Sequence, residues 1–136
     1  MIGAGGVGLN VIQAAQLVGA RQIIAIDCVP AKEKLATEFG ATDFILAEDD
    51  LDMSNTVKQL SGGGVHHAFE VVGHTGLLAG AIKMTRAGGN VCAVGVPDLA
   101  ATVTYNFQSQ HQNKNLMGIR EGPSHARPSA LSQICT

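Results

Sequence analysis

Apolar and polar positions along this chain alternate in blocks of two kinds. From Asn10 to Val18 the residues are helix-forming, with Val11, Ile12, Ala15 and Val18 at helical spacing and Gly19 placed to end the helix. The next block, Gln22-Ile23-Ile24-Ala25-Ile26, is a short apolar run that ends at Asp27 and predicts a strand. Pro30 suits the first turn of a helix, which runs from Ala31 to Phe39 and is closed by Gly40. Asp43–Leu46 predicts a strand, Met53–Leu60 a short helix ended by Ser61-Gly62-Gly63-Gly64, and Val65–Val72 another strand. Thr75–Arg86 predicts a helix closed by Gly88-Gly89, and Asn90–Val96 an apolar strand stopped by Pro97. Leu116–Ile119 predicts a last strand and Pro128–Cys135 a last helix. Nearly continuous apolar strands alternating with helices argue for a parallel sheet covered on both faces.

Ahead of the first helix stands Met1-Ile2, then Gly3-Ala4-Gly5-Gly6-Val7-Gly8. Glycines at 3, 5 and 8 fit the G-x-G-x-x-G turn that binds dinucleotides. The first glycine makes the tight turn, the second lets a pyrophosphate approach the backbone, and the third lets helix and sheet pack closely. Free N–H groups and the positive end of the helix dipole then face the phosphates. Asp27, at the end of the second strand, is placed to accept hydrogen bonds from the adenosine ribose. The chain has 17 glycines in 136 residues, so the motif is informative only in this strand–turn–helix–strand–acid context. A ligand-free tight loop, and for Asp27 an ordinary acid near the next helix, are the bland alternatives. The fold expected is α/β, a Rossmann-type doubly wound, mostly parallel sheet of about six strands in the order 3-2-1-4-5-6, its first strand truncated.

Composition narrows the partners. The chain is the size of one domain, 46% apolar and 15% charged, which is globular rather than disordered. A net charge of −2 gives no reason to expect nucleic acid or a membrane surface. No apolar run approaches the ~20 residues of a membrane span. Cys28, Cys92 and Cys135 are an odd, scattered set, which suits a reducing, cytoplasmic setting better than a disulfide framework. His66 and His67 are adjacent in a predicted strand, so they point to opposite faces and cannot chelate one ion together. His74, His111 and His125 are scattered. No catalytic residue and no metal ligand is identified.

Four stretches carry a resemblance to a known family: Ile2-Gly3-Ala4-Gly5-Gly6-Val7-Gly8, Ala25-Ile26-Asp27, Phe69-Glu70-Val71-Val72-Gly73 and Val94-Gly95-Val96-Pro97. With Gly40-Ala41-Thr42, they make the chain resemble the coenzyme domain of the medium-chain, zinc-type alcohol dehydrogenases. The resemblance runs to about Gly118 and implies NAD as the cofactor and an alcohol or aldehyde as substrate of the intact enzyme. It implies that Gly5, Gly6 and Val7 meet the pyrophosphate, with Gly3 and Gly8 shaping the turn. Asp27 and Lys32 would hold the adenosine ribose, and Cys28 and Val72 would sandwich the adenine. Val94, Gly95 and Val96 would lie by the nicotinamide. For Lys32 a solvated lysine on a helix face remains an equal alternative.

In that family the zinc and catalytic machinery sit in a separate domain. Residues 1–136 therefore read as an NAD-binding domain and as a fragment lacking that part, with zinc expected only there. The segment Asn115-Leu116-Met117-Gly118 resembles the strand that pairs across the family's dimer, which adds a homo-oligomer to the expected partners. Ile119-Arg120-Glu121-Gly122-Pro123 departs from the family's pattern and puts that pairing in doubt. Two rivals stand beside this reading. One is a non-catalytic nucleotide-binding module; the other is an S-adenosylmethionine-binding domain, whose turn would want glycine where Val7 stands.

Overall fold

A computed structural model describes residues 1–48 and 51–119. The elements run α1 (Gly6–Leu17), β1 (Ile24–Asp27), α2 (Lys32–Glu38), β2 (Asp43–Leu46), α3 (Met53–Leu60), β3 (Val65–Glu70), α4 (Thr75–Met84), β4 (Thr85–Ala93), α5 (Phe107–Gln110) and β5 (Asn115–Gly118). All the strand pairings are parallel. β1 pairs with β2, and β4 lies between β3 and β5. Ile2 bridges the two groups, meeting Ile26 on one side and Glu70 on the other. Its N–H donates to the Phe69 carbonyl at 2.8 Å, and its carbonyl accepts from Val71 at 3.2 Å. With Ile2 standing for the first strand, the spatial order is the expected 3-2-1-4-5-6.

The strand alternation feeds two cores. Ile24 and Ile26 point to one face, where they pack with Ile45, Ala68 and Val91 against Val57 of α3 and Ala81, Ile82 and Met84 around α4. Ile23 and Ala25 point to the other, against Leu9 and Ile12 of α1 and Ala36 of α2. A strand buried on both faces cannot afford a polar position, which explains the unbroken apolar run from Ile23 to Ile26.

Element boundaries differ from the sequence reading in instructive places. α1 starts at Gly6, so the glycine turn supplies the first helical residues ahead of the run from Asn10, within one residue of the helix Val7–Val18 expected. α4 stops at Met84, and β4 begins at once with Thr85. Val65 pairs with Thr85 but His67 pairs with Asn90, so Arg86 to Gly89 loop out of register as a bulge. Gly88-Gly89 therefore marks an irregularity within β4 rather than the end of a helix. β3 ends at Glu70 and β4 at Ala93, which leaves Val72 and Val94–Val96 in the turns beyond the strands. The short helix α5 has no counterpart in the sequence reading. The predicted helix Pro128–Cys135 and the segment Arg120–Pro123 lie outside the described residues.

Candidate coenzyme site

The residues singled out in the sequence come to the carboxyl ends of β1, β3 and β4, beside the N-terminus of α1. Gly3 has φ +94° and turns the chain out of the sheet. Gly5 caps α1 without a side-chain hydrogen bond, and no acidic residue stands in the helix's first turn. The leading N–H groups of an α-helix have no partner within the helix, so the Gly6 and Val7 N–H groups are left to an outside acceptor. Around Gly5 and Gly6 the space is open. A Cβ on Gly5 would meet only the Lys32 ammonium at 3.9 Å, and one on Gly6 would meet nothing within 4 Å. Gly8 is the opposite case: a Cβ there would fall on the Gly3 carbonyl oxygen.

Asp27 ties this turn to the end of β1. Its Oδ2 accepts the Ala4 N–H at 2.7 Å and its Oδ1 the Val29 N–H at 3.0 Å. Lys32, the first residue of α2, holds its Nζ 3.6 Å from the same Oδ2. A carboxylate offers about four lone-pair sites, and the two backbone bonds leave roughly half of them for other donors. Lys32 is thus neither a freely solvated lysine nor a buried one, since it lies half-buried between Asp27 and the open side of Gly5. Cys28 follows Asp27 with its thiol exposed.

On the far side of the turn, Val72 reaches over Gly3, where a Cβ would lie 2.7 Å from Val72 Cγ2. Val72 remains 55% exposed and Val96 86%, so both present apolar surface outward at the sheet edge. The N–H groups of Val94 and Gly95 both donate to the Glu70 carbonyl, at 2.8 and 3.0 Å. Gly95 abuts Gly73 so closely that a Cβ on it would fall on the Gly73 nitrogen.

One residue of this site was not singled out from the sequence. Glu70 is 1% exposed, and its carboxylate gathers the N–H groups of Val72 and Gly73 at 2.9 Å each and of His74 at 3.5 Å. The signal was present: an acid flanked by Ala68-Phe69 and Val71-Val72, three residues before a glycine, is placed to be buried, and a buried acid needs partners.

A family profile described as "Zinc-binding dehydrogenase" matches residues 6–135. The chain belongs to that family. It is 36% identical over 138 residues to alcohol dehydrogenase-like 6 of Arabidopsis thaliana, covering 98% of this chain and 36% of that protein. It is 39% identical over 98 residues to S-(hydroxymethyl)glutathione dehydrogenase of Synechocystis, covering 71% of this chain and 27% of that one. Among solved structures, benzyl alcohol dehydrogenase from Acinetobacter calcoaceticus superposes with a TM-score of 0.83 at 32% identity, covering 88% of this chain and 33% of that chain. The chain spans about a third of the length of these relatives. The matched region is the cofactor-binding part of zinc-type, medium-chain alcohol dehydrogenases, as the resemblance implied.

The glycine turn fits a dinucleotide, because it combines a cradle without side chains with unpartnered N–H groups. Zinc is a different matter. Among the described residues no three His, Cys, Asp or Glu side chains converge to hold a metal. His66 Nε2 faces Arg86 at 2.9 Å and His67 Nδ1 faces Asn90 at 3.2 Å, so the two histidines serve separate partners. Burial raises the pKa of the Cys92 thiol, inside β4, which disfavours the thiolate a metal would need. Among the described residues no helix is long and apolar enough to cross a membrane.

Proposed function

We propose that this chain holds NAD(H) for an oxidoreductase that moves hydride between an alcohol carbon and the nicotinamide. The observation that carries the reading is the open cradle at Gly5-Gly6-Val7, facing Asp27 and Lys32. When bound, the coenzyme supplies the hydride-accepting ring; this chain's residues bind and orient it. The Gly6 and Val7 N–H groups and the helix dipole hold the pyrophosphate. Asp27 accepts the ribose hydroxyls on the lone pairs that Ala4 and Val29 leave free, and Lys32 offsets the negative charge gathered there. Cys28 and Val72 flank the adenine, and Val94–Val96 flank the nicotinamide. Since Val94 and Gly95 spend their N–H groups on Glu70, a carboxamide there meets carbonyl oxygens or the Val96 backbone instead. The alcohol or aldehyde as substrate is supported by the relatives' names, and the reading takes residues 1–136 as one coenzyme-binding domain. A second copy of the chain as partner and a cytoplasmic setting belong to the same proposal.

The test is a fluorescence titration of the purified chain with NADH, with NADPH and S-adenosylmethionine in parallel. Saturable NADH binding, with weaker NADPH and no S-adenosylmethionine binding, is expected. A folded chain that binds S-adenosylmethionine, or none of the three, would overturn the proposal.

A further inference from the structure

Glu70 carries more of the site's geometry than its single position suggests. Three successive N–H groups, of Val72, Gly73 and His74, curve around its Oε1, and Gly73 also reaches Oε2 at 3.2 Å. Such a concavity of backbone N–H groups binds anions in other settings. Here it is filled by the chain's own carboxylate, and it closes only because Gly73 takes φ +85°. Among the described residues no cation is paired with Glu70, so the backbone alone compensates its burial. The same residue's carbonyl collects Val94 and Gly95 from the end of β4. Its backbone also bridges to Ile2, the residue immediately before the glycine turn. One residue is therefore bonded to two strand-end turns and stands beside a third.

We propose that Glu70 is a positioning residue of the coenzyme cleft, presetting the Val72–His74 turn against the Val94–Val96 turn before any coenzyme arrives. The inference rests on the NAD reading above and names what holds that site in shape. Without the carboxylate, Val72 would no longer be pinned over Gly3, and the Val72–His74 turn would move independently of the Val94–Val96 turn, which the Glu70 carbonyl still holds. Coenzyme would then have to order the Val72–His74 turn itself, and affinity would fall by that ordering cost.

Glu70→Gln keeps the shape of the side chain but can place an NH2 where Gly73 now donates. Its control is Ile82→Val, a core change on α4 that touches neither turn. NADH affinity is expected to fall about tenfold or more in Glu70→Gln, with a melting temperature no lower than that of Ile82→Val, whose affinity stays at the wild-type value. Amide exchange adds a measurement that needs no variant: in the coenzyme-free wild-type chain the Val72, Gly73 and His74 N–H groups are expected to be as protected as those of β4. Wild-type affinity in a folded Glu70→Gln, a loss that only tracks melting temperature in both variants, or free exchange of those three amides would overturn the inference. A wild-type chain that binds no NADH, with the three amides protected, would sink the NAD reading and leave the preset turns standing.

Discussion

Gly5 and Gly8 stand three residues apart in the same turn, yet their surroundings predict opposite failures. At Gly5, φ is −83° and the space around an added Cβ is open except for the Lys32 ammonium at 3.9 Å. Gly5→Val should therefore fold, at a cost of about 1 kcal/mol for a poor helix cap. Its side chain would occupy the volume a pyrophosphate must enter to reach the Gly6 and Val7 N–H groups. Losing two hydrogen bonds to a charged group, at ~1.5–3 kcal/mol each, predicts at least a ~100-fold loss of NADH affinity. At Gly8, alanine would ordinarily stabilise a helix by ~1 kcal/mol. Here its Cβ falls on the Gly3 carbonyl, which is backbone and cannot rotate away. Overpacking against a rigid neighbour reverses the sign, by roughly 2–3 kcal/mol or more. For a domain of this size that lowers the melting temperature by about 6–15 °C. A thermal melt and an NADH titration on each variant separate the two outcomes. Normal NADH binding by a folded Gly5→Val, or a wild-type melt for Gly8→Ala, would refute the assignment of these glycines.

Other consequences follow from the same geometry. Asp27→Ser removes the carboxylate that repels a 2′-phosphate while Lys32 stays to attract one, so the NADH-over-NADPH preference should narrow; an unchanged ratio by titration contradicts the role given to Asp27. Cys28 is exposed and Cys92 buried, so alkylation with peptide mapping should label Cys28 promptly and Cys92 only on unfolding; equal rates in the folded chain would refute the placement of β4.

What the sequence revealed here was decided by how local each cause is. The glycine turn, the apolar run Ile23–Ile26 and the terminal Asp27 are each set by neighbours close in the chain, and each stands where the pattern put it. The start of β4 was missed because Thr85 is held by Val65, twenty residues upstream, and nothing between Arg86 and Gly89 announces a bulge. Asp27 was legible as an acid at a strand end, but its bond to Ala4 crosses 23 residues of chain, so its second duty of holding the glycine turn was not. Glu70 shows the same division within one side chain. The acid could be read, and so could the glycine three residues on. The anion-holding curve they make together depends on Gly73 taking a positive φ and on Gly95 lying against it, which only the paired strands bring about. Sequence motifs mark the surfaces a coenzyme would touch, while the residues that fix those surfaces relative to one another act across strands.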